Sequence, residues 1–182
     1  MTRSQKTLAP GLHPGLLPPV YRELRPAEHR LLEPHLMRLS PASRNLRFGS
    51  AVSLVTVQRY CRNDGKPLPI ICGAFIGGVL RGVVEIRFGK DAPTSQAEIA
   101  ISVEDDWQDI GIGSKLMELA LERARDHHIT RLEVDFMPHN MPMRRLAEKF
   151  GATFSHQRGL TTGIFSLADP GFAADAGSKR PQ

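Results

Sequence analysis

The chain has 182 residues, 41% hydrophobic and 6% aromatic, with a formal net charge of +5. That length suits one domain with a sizeable core; no run reaches the ~18 apolar residues of a membrane span, and the opening segment lacks the apolar stretch of a signal peptide. Cys61 and Cys72 give neither a disulfide framework nor a metal-ligand spacing, so a reduced cytoplasmic setting is expected, and the scattered arginines with few aromatics argue against a nucleic-acid binder.

Residues 1–19 are proline-rich and aperiodic, and residues 169–182 are small, polar and charged. Both read as flexible tails around a domain at 20–168. Val20 to Arg25 alternates as a first strand. Pro26 opens a helical pattern through Leu31, Leu32, Leu36 and Leu39, which Pro34 is expected to split or kink. Ser40-Pro41 supplies an N-cap and a first-turn proline for a second short helix. Ala51 to Tyr60 fits helix or strand, because an apolar β-branched run is ambiguous. Arg62 to Pro67 is a turn.

Ile70 to Ile76 and Val79 to Phe88 flank Gly77-Gly78, a hairpin signal. After a loop from Gly89 to Ser95, Gln96 to Val103 adds a third strand to this meander. There Glu98, Ala100 and Ser102 alternate with Ile99, Ile101 and Val103, so one face is more polar, as beside a cleft. Leu116, Leu119, Ala120 and Ala124 repeat at the spacing of a buried helix face. Phe154 to Gln157 and Leu160 to Leu167 read as two closing strands.

The segment Gln108-Asp109-Ile110-Gly111-Ile112-Gly113 joins the strand ending at Val103 to the helical pattern Ser114 to His127. A strand, a glycine-bearing loop and a helix N-terminus make an anion site, because the first amides of a helix lack intrahelical partners and carry the positive end of its dipole. A phosphate or pyrophosphate is the expected ligand. The third glycine of a dinucleotide fingerprint is missing, and no window holds a Walker loop.

The pattern that does stand here, Q-x-x-G-x-G, resembles the pyrophosphate loop of the GCN5-related N-acetyltransferases. The likeness covers roughly Val20 to Leu167, weakest before Ile70 and strongest from Ala97 to Ala152: a strand at Ala97 to Val103, the loop, a long helix, a strand at Arg131 to Phe136, and Asn140 to Ala152, which is similar to the family's closing segment. The wording A-E-I-A-I-S-V-E-D-D-W-Q is similar to bacterial protein-lysine acetyltransferases, as is Leu39 to Phe48. The resemblance implies an α/β (α+β) fold with a mixed, mainly antiparallel sheet of about six to seven strands flanked by helices, and it favours helix at Ala51 to Tyr60. Two positions depart from the pattern. Ala147 stands where a general-acid tyrosine is common, and Ala152 where an aromatic is usual.

The same resemblance implies acetyl-CoA as co-substrate and transfer of its acetyl group to a primary amine, on a protein lysine or a small molecule, by direct attack. The amides around Ile110, Gly111, Ile112, Gly113 and Ser114 are expected at the pyrophosphate, with Gln108 bonding to the phosphate or to the loop itself. Ile101 and Val103 are expected to offer main-chain hydrogen bonds to the pantetheine arm, and the Val103 amide to stabilise the oxyanion. Asn140 is expected at the cofactor, at a helix N-cap, or both. Glu98 is the expected general base, since a partly buried carboxylate gains basicity, with Glu85 in reserve. Water, Ser102 or another group must protonate the thiolate where Ala147 cannot. Glu104-Asp105-Asp106 reads as a solvated turn, and Trp107 as a packing residue. No metal is expected, no membrane partner, and a homodimer stays open. In 182 residues there is no room for the partner domains that often accompany this branch, so regulation is expected from elsewhere. The competing reading is a non-catalytic CoA-binding regulatory module.

Overall fold

The computed structural model describes residues 18–62, 67–89, 93–157 and 159–167. The two tails expected at the chain ends lie almost wholly outside these residues, as does most of the turn at Arg62 to Pro67. Among these residues seven strands form one sheet: β1 (Val20–Glu23), β2 (Ile70–Ile76), β3 (Val79–Arg87), β4 (Gln96–Val103), β5 (Arg131–Phe136), β6 (Thr153–Gln157) and β7 (Leu160–Ser166). Their order is β1-β2-β3-β4-β5-β7-β6, and only the β4–β5 pair is parallel. This is the mixed, mainly antiparallel sheet expected. The hairpin at Gly77-Gly78 forms as read, with both glycines at positive φ (57° and 77°), the geometry that suits two-residue hairpin turns.

Among the described residues five helices flank the sheet: α1 (Leu32–Arg38), α2 (Pro41–Phe48), α3 (Leu54–Cys61), α4 (Ile112–Asp126) and α5 (Met141–Lys149). Pro34 does not break a helix. A 3₁₀ turn over Pro26–Leu31 hands over to α1, and Pro34 falls in the first turn of α1, where a missing N–H costs nothing. Ser40 caps α2 by accepting from the Ser43 amide, and Ser53 caps α3 by accepting from Thr56, which settles Ala51 to Tyr60 as mostly helix.

The alternation of β3 and β4 divides the core in two. Val84, Ile86 and Ile99 face α4, whose Leu116, Met117, Ala120 and Ala124 are buried against them. Leu80 and Val83 face the other side with Leu32, Leu36 and Val57 from α1 and α3. Around β2 and β3 the sheet is thus covered on both faces, and a cleft opens where β4 and β5 part.

Candidate active site

β4 and β5 pair only through Gln96–Arg131, Ala97–Leu132 and Glu98–Glu133. Beyond Glu98 the two strands diverge, and β4 keeps its pairing to β3 alone. The gap is a cleft of about 500 Å³ lined by β4 from Glu98 to Val103, by Val134 to Phe136, by Asn140 and Met143 at the start of α5, and by the glycine loop. A strand edge left open in this way can accept an extended ligand as an added strand.

The glycine loop sits at the far end of the cleft. Asp109 and Gly111 both have positive φ (59° and 92°), which turns the chain sharply from strand to helix. Gly111 is the N-cap of α4, and no side chain caps it. The first bond inside the helix runs from the Lys115 amide to the Gly111 carbonyl at 3.1 Å, so the amides of Ile112, Gly113 and Ser114 precede the ladder. Gly111, Gly113 and Ser114 line the cleft, and Lys149 Nζ donates to Ser114 Oγ at 3.0 Å. Unladdered amides, the helix dipole and a nearby ammonium together favour a phosphate. The Ile112 side chain is buried and that of Ile110 half-buried in the core, so only their backbone can serve a ligand.

Gln108 fastens the loop to its neighbours. Its Nε2 donates to the Val103 carbonyl at 2.9 Å and to Ser43 Oγ at 3.3 Å, which ties loop, strand and α2 together. Asn140 is an N-cap: its Oδ1 accepts from the Met143 amide at 3.1 Å, while the residue also lines the cleft. Ile101 and Val103 line the cleft and are half-buried. Ala147 is fully buried in the core.

The two acidic candidates separate. Glu98 lines the cleft and is exposed rather than partly buried, on the face of β4 that it shares with the equally exposed Gln96. Glu85 is fully buried, does not line the cleft, and is ion-paired to Arg47 and to Arg87 (2.5 Å), with Tyr60 Oη donating at 3.1 Å. Burial alone would raise the Glu85 carboxyl, but the facing guanidinium charges outweigh it and hold it below the usual range. A carboxylate so held is a poor base. What Glu85 does is anchor Arg47, which belongs to the cleft wall on α2.

Two groups escaped the reading of the sequence. The turn at Glu104-Asp105-Asp106 is solvated at Asp105 and Asp106, as read, but Glu104 is buried and Asp105 also has partners on α2. Asp105 accepts from the Ser40 amide (2.9 Å), Ser40 Oγ (2.7 Å) and Ser43 Oγ (2.8 Å), clamping α2 over the cleft. Glu104 is buried and accepts from Arg38 Nε (2.8 Å) and Arg81 Nη1 (2.7 Å). His35, fully buried on α1, spans from Glu104 (Nδ1, 3.4 Å) to Ser102 Oγ (Nε2, 2.9 Å). A histidine one turn from Leu32 and Leu39, on the apolar face of its helix, was the available signal.

A model described as the acetyltransferase (GNAT) family matches residues 29–152. The chain belongs to the GNAT acetyltransferase family. Acetyltransferase Pat of Mycolicibacterium smegmatis is 33% identical over 79 residues, which are 43% of this chain and 23% of that protein. The chain therefore matches less than a quarter of that relative's length. The GNAT domain of S. lividans PAT superposes with a TM-score of 0.68 at 25% identity, covering 82% of this chain and 90% of the other. An acetyltransferase from Salmonella typhimurium, solved with its cofactor acetyl-CoA, shares the fold at TM-score 0.60 and 16% identity, over 83% and 95% of the two chains. The similarity to the PAT proteins agrees with the branch that the motif wording resembles. Among the described residues no helix is long and apolar enough to cross a membrane, and no cluster of three or more His, Cys, Asp or Glu forms a metal site.

Proposed function

We propose that this chain transfers the acetyl group of acetyl-CoA to a primary amine, with a protein lysine as the leading acceptor, through a single domain at 20–168. The observation that carries the reading is the divergence of β4 from β5 beyond Glu98, leading straight to an uncapped, glycine-led helix N-terminus. An extended arm with a pyrophosphate at one end fits those two features together. The match to Pat and to the PAT domain supports the lysine as acceptor. The free thiols of Cys61 and Cys72 suit a reducing, cytoplasmic setting.

Each step is assigned to a group of the chain. The amides of Ile112, Gly113 and Ser114 hold the pyrophosphate, and the open edge of β4 at Ile101 and Val103 orients the arm. Bound acetyl-CoA supplies the activated acetyl group as a thioester. Glu98, exposed in the cleft and in contact with solvent, takes the proton that an incoming ammonium must lose and passes it to water. Arg47 and Leu46 of α2, with Asp135 opposite, shape the acceptor side. Direct attack of the amine on the thioester needs no covalent enzyme species.

Calorimetric titration of the full chain with acetyl-CoA, repeated on Gly111→Glu, tests the reading. Micromolar binding that the substitution abolishes is the expected result, because the new side chain would set a carboxylate at the phosphate position. A folded wild type that does not bind acetyl-CoA would overturn it.

A further inference from the structure

We propose that Ser102 and His35 form the proton shuttle of the transfer, carrying the proton from the attacking amine to the departing sulfur, with Glu104 orienting His35. The proposal rests on the acetyltransferase reading above. Ser102 lines the cleft on the open part of β4, one pleat from Ala100 and two from Glu98 on the same face. Its hydroxyl is 2.9 Å from His35 Nε2, and His35 Nδ1 is 3.4 Å from Glu104 Oε1. Hydroxyl, imidazole and carboxylate therefore stand in series, with hydroxyl and base within hydrogen-bond reach and the base oriented by a third group.

The roles of the two ring nitrogens follow from the surroundings. Glu104 already accepts from Arg38 and Arg81, so it presents an ionised carboxylate to His35. An ionised carboxylate only accepts, hence His35 donates from Nδ1. With Nδ1 donating to Glu104, Nε2 is left as the acceptor for the Ser102 hydroxyl proton. The lone pairs of Ser102 Oγ then face the cleft, where they can take a proton.

The chemistry closes without a co-reactant. As the amine nitrogen bonds to the carbonyl carbon and the carbon–sulfur bond breaks, one proton must leave nitrogen and one must reach sulfur. Ser102 Oγ takes the nitrogen's proton while its own passes to Nε2. The return passage delivers a proton through Oγ to sulfur. Amide and free thiol are the products, and Ser102 and His35 end as they began. During the passage the charge on the imidazole faces Glu104, which is what the carboxylate is for. The scheme also fits Ala147, which has no hydroxyl and lies buried in the core, away from any such task.

The first test needs no turnover. In ¹⁵N-histidine NMR of the ligand-free full chain, His35 is expected as the Nδ1–H tautomer, with its Nε2 resonance moved by Ser102→Ala. The Nε2–H form would overturn the proposal. In steady-state assays with an amine that the wild type acetylates, Ser102→Ala is expected to lower kcat by about 10²-fold, the lower end for lost acid–base help, and to leave the KM for acetyl-CoA unchanged. Ser102→Thr, which keeps a hydroxyl, is expected to recover most of the loss. The solvent proton inventory should drop from two transferred protons to one in Ser102→Ala. A folded His35→Gln that turns over as the wild type does, or a Ser102→Ala that changes only KM, would make the chain of groups a structural tie. If His35→Gln does not fold, the Ala/Thr pair at Ser102 and the tautomer decide. Failure of the wild type to bind acetyl-CoA is the distinct result that would sink the parent reading.

Discussion

Glu98 and Glu133 are the last partners across β4 and β5, and the cleft opens at Glu98 on β4 and at Val134 on β5. Two carboxylates facing across neighbouring strands repel, and here Glu133 is drawn aside by Arg131 Nε at 2.5 Å. Glu98 is left exposed at the head of the cleft, on the face it shares with Ala100 and Ser102. The strand order places the candidate base, the open main-chain edge and the phosphate loop in one line along β4.

Removing that carboxylate while keeping its shape separates a catalytic module from a binding one. Glu98→Gln is expected to keep acetyl-CoA affinity and to reduce kcat by roughly 10²–10⁴-fold, the range for positioned acid–base groups. Steady-state kinetics with calorimetry as control check it. Unchanged turnover would remove Glu98 from the mechanism.

Glu85 makes the acid limit of stability predictable. Its folded carboxyl is held below its unfolded value, since the charges of Arg47 and Arg87 outweigh burial. Such a group stabilises the fold above the unfolded pKa of about 4.3. That contribution fades as pH falls from there towards the folded pKa. The urea midpoint is therefore expected to drop between pH 6 and pH 3 in the wild type. Glu85→Gln strips the buried Arg47 of its partner and is expected to cost about 3–5 kcal/mol at pH 7, with a flatter pH dependence. Denaturation at both pH values measures each part.

The fold was legible because its signals are local. The Gly111 turn, the Ser40 cap, the Gly77-Gly78 hairpin and the period of α4 can each be read within a few residues. The site was legible only where it is also local. Glu104 and His35 are 69 positions apart, Arg47 and Glu85 38 apart, and no window contains both partners. Glu104 looked like a turn residue because its two arginines and its histidine arrive from α1 and β3. Glu98 was expected to gain burial from an apolar strand, but it lies on the face of β4 where Gln96 is exposed too, and burial of a strand residue depends on what covers its face.

Asn140 offers a test of cap against ligand contact. Its Oδ1 accepts from the Met143 amide, and Pro142 holds the first turn of α5. Asn140→Ala is expected to lose about 1 kcal/mol, the usual cost of a lost cap, while Asn140→Asp, which still caps, keeps the melting temperature. Calorimetry on the Asp variant then reads the ligand side alone. Unchanged acetyl-CoA affinity would confine Asn140 to capping, and a fall would add a contact to the pantetheine arm.

The two cysteines are expected to be inert in the folded protein, for a reason that differs from simple inaccessibility. Cys61 is half-buried on α3, and burial with the nearby Glu85 charge pushes its thiol up to about 11. Cys72 is fully buried on β2, and burial pushes it up to about 12. The thiolate is the reacting species, so at pH 7.5 both should alkylate far more slowly than a free cysteine of pKa about 8.5. Iodoacetamide followed by intact mass should show unmodified native protein and two additions in urea. Because both thiols ionise more readily in the unfolded chain, stability should also decline as pH rises above about 8.5, through the range in which only unfolded thiols have ionised. Glu85→Gln removes one of the charges acting on Cys61, so in a folded variant Cys61 should alkylate faster than in the wild type while Cys72 does not change. Equal rates for Cys61 in the two proteins would show that burial alone sets its reactivity.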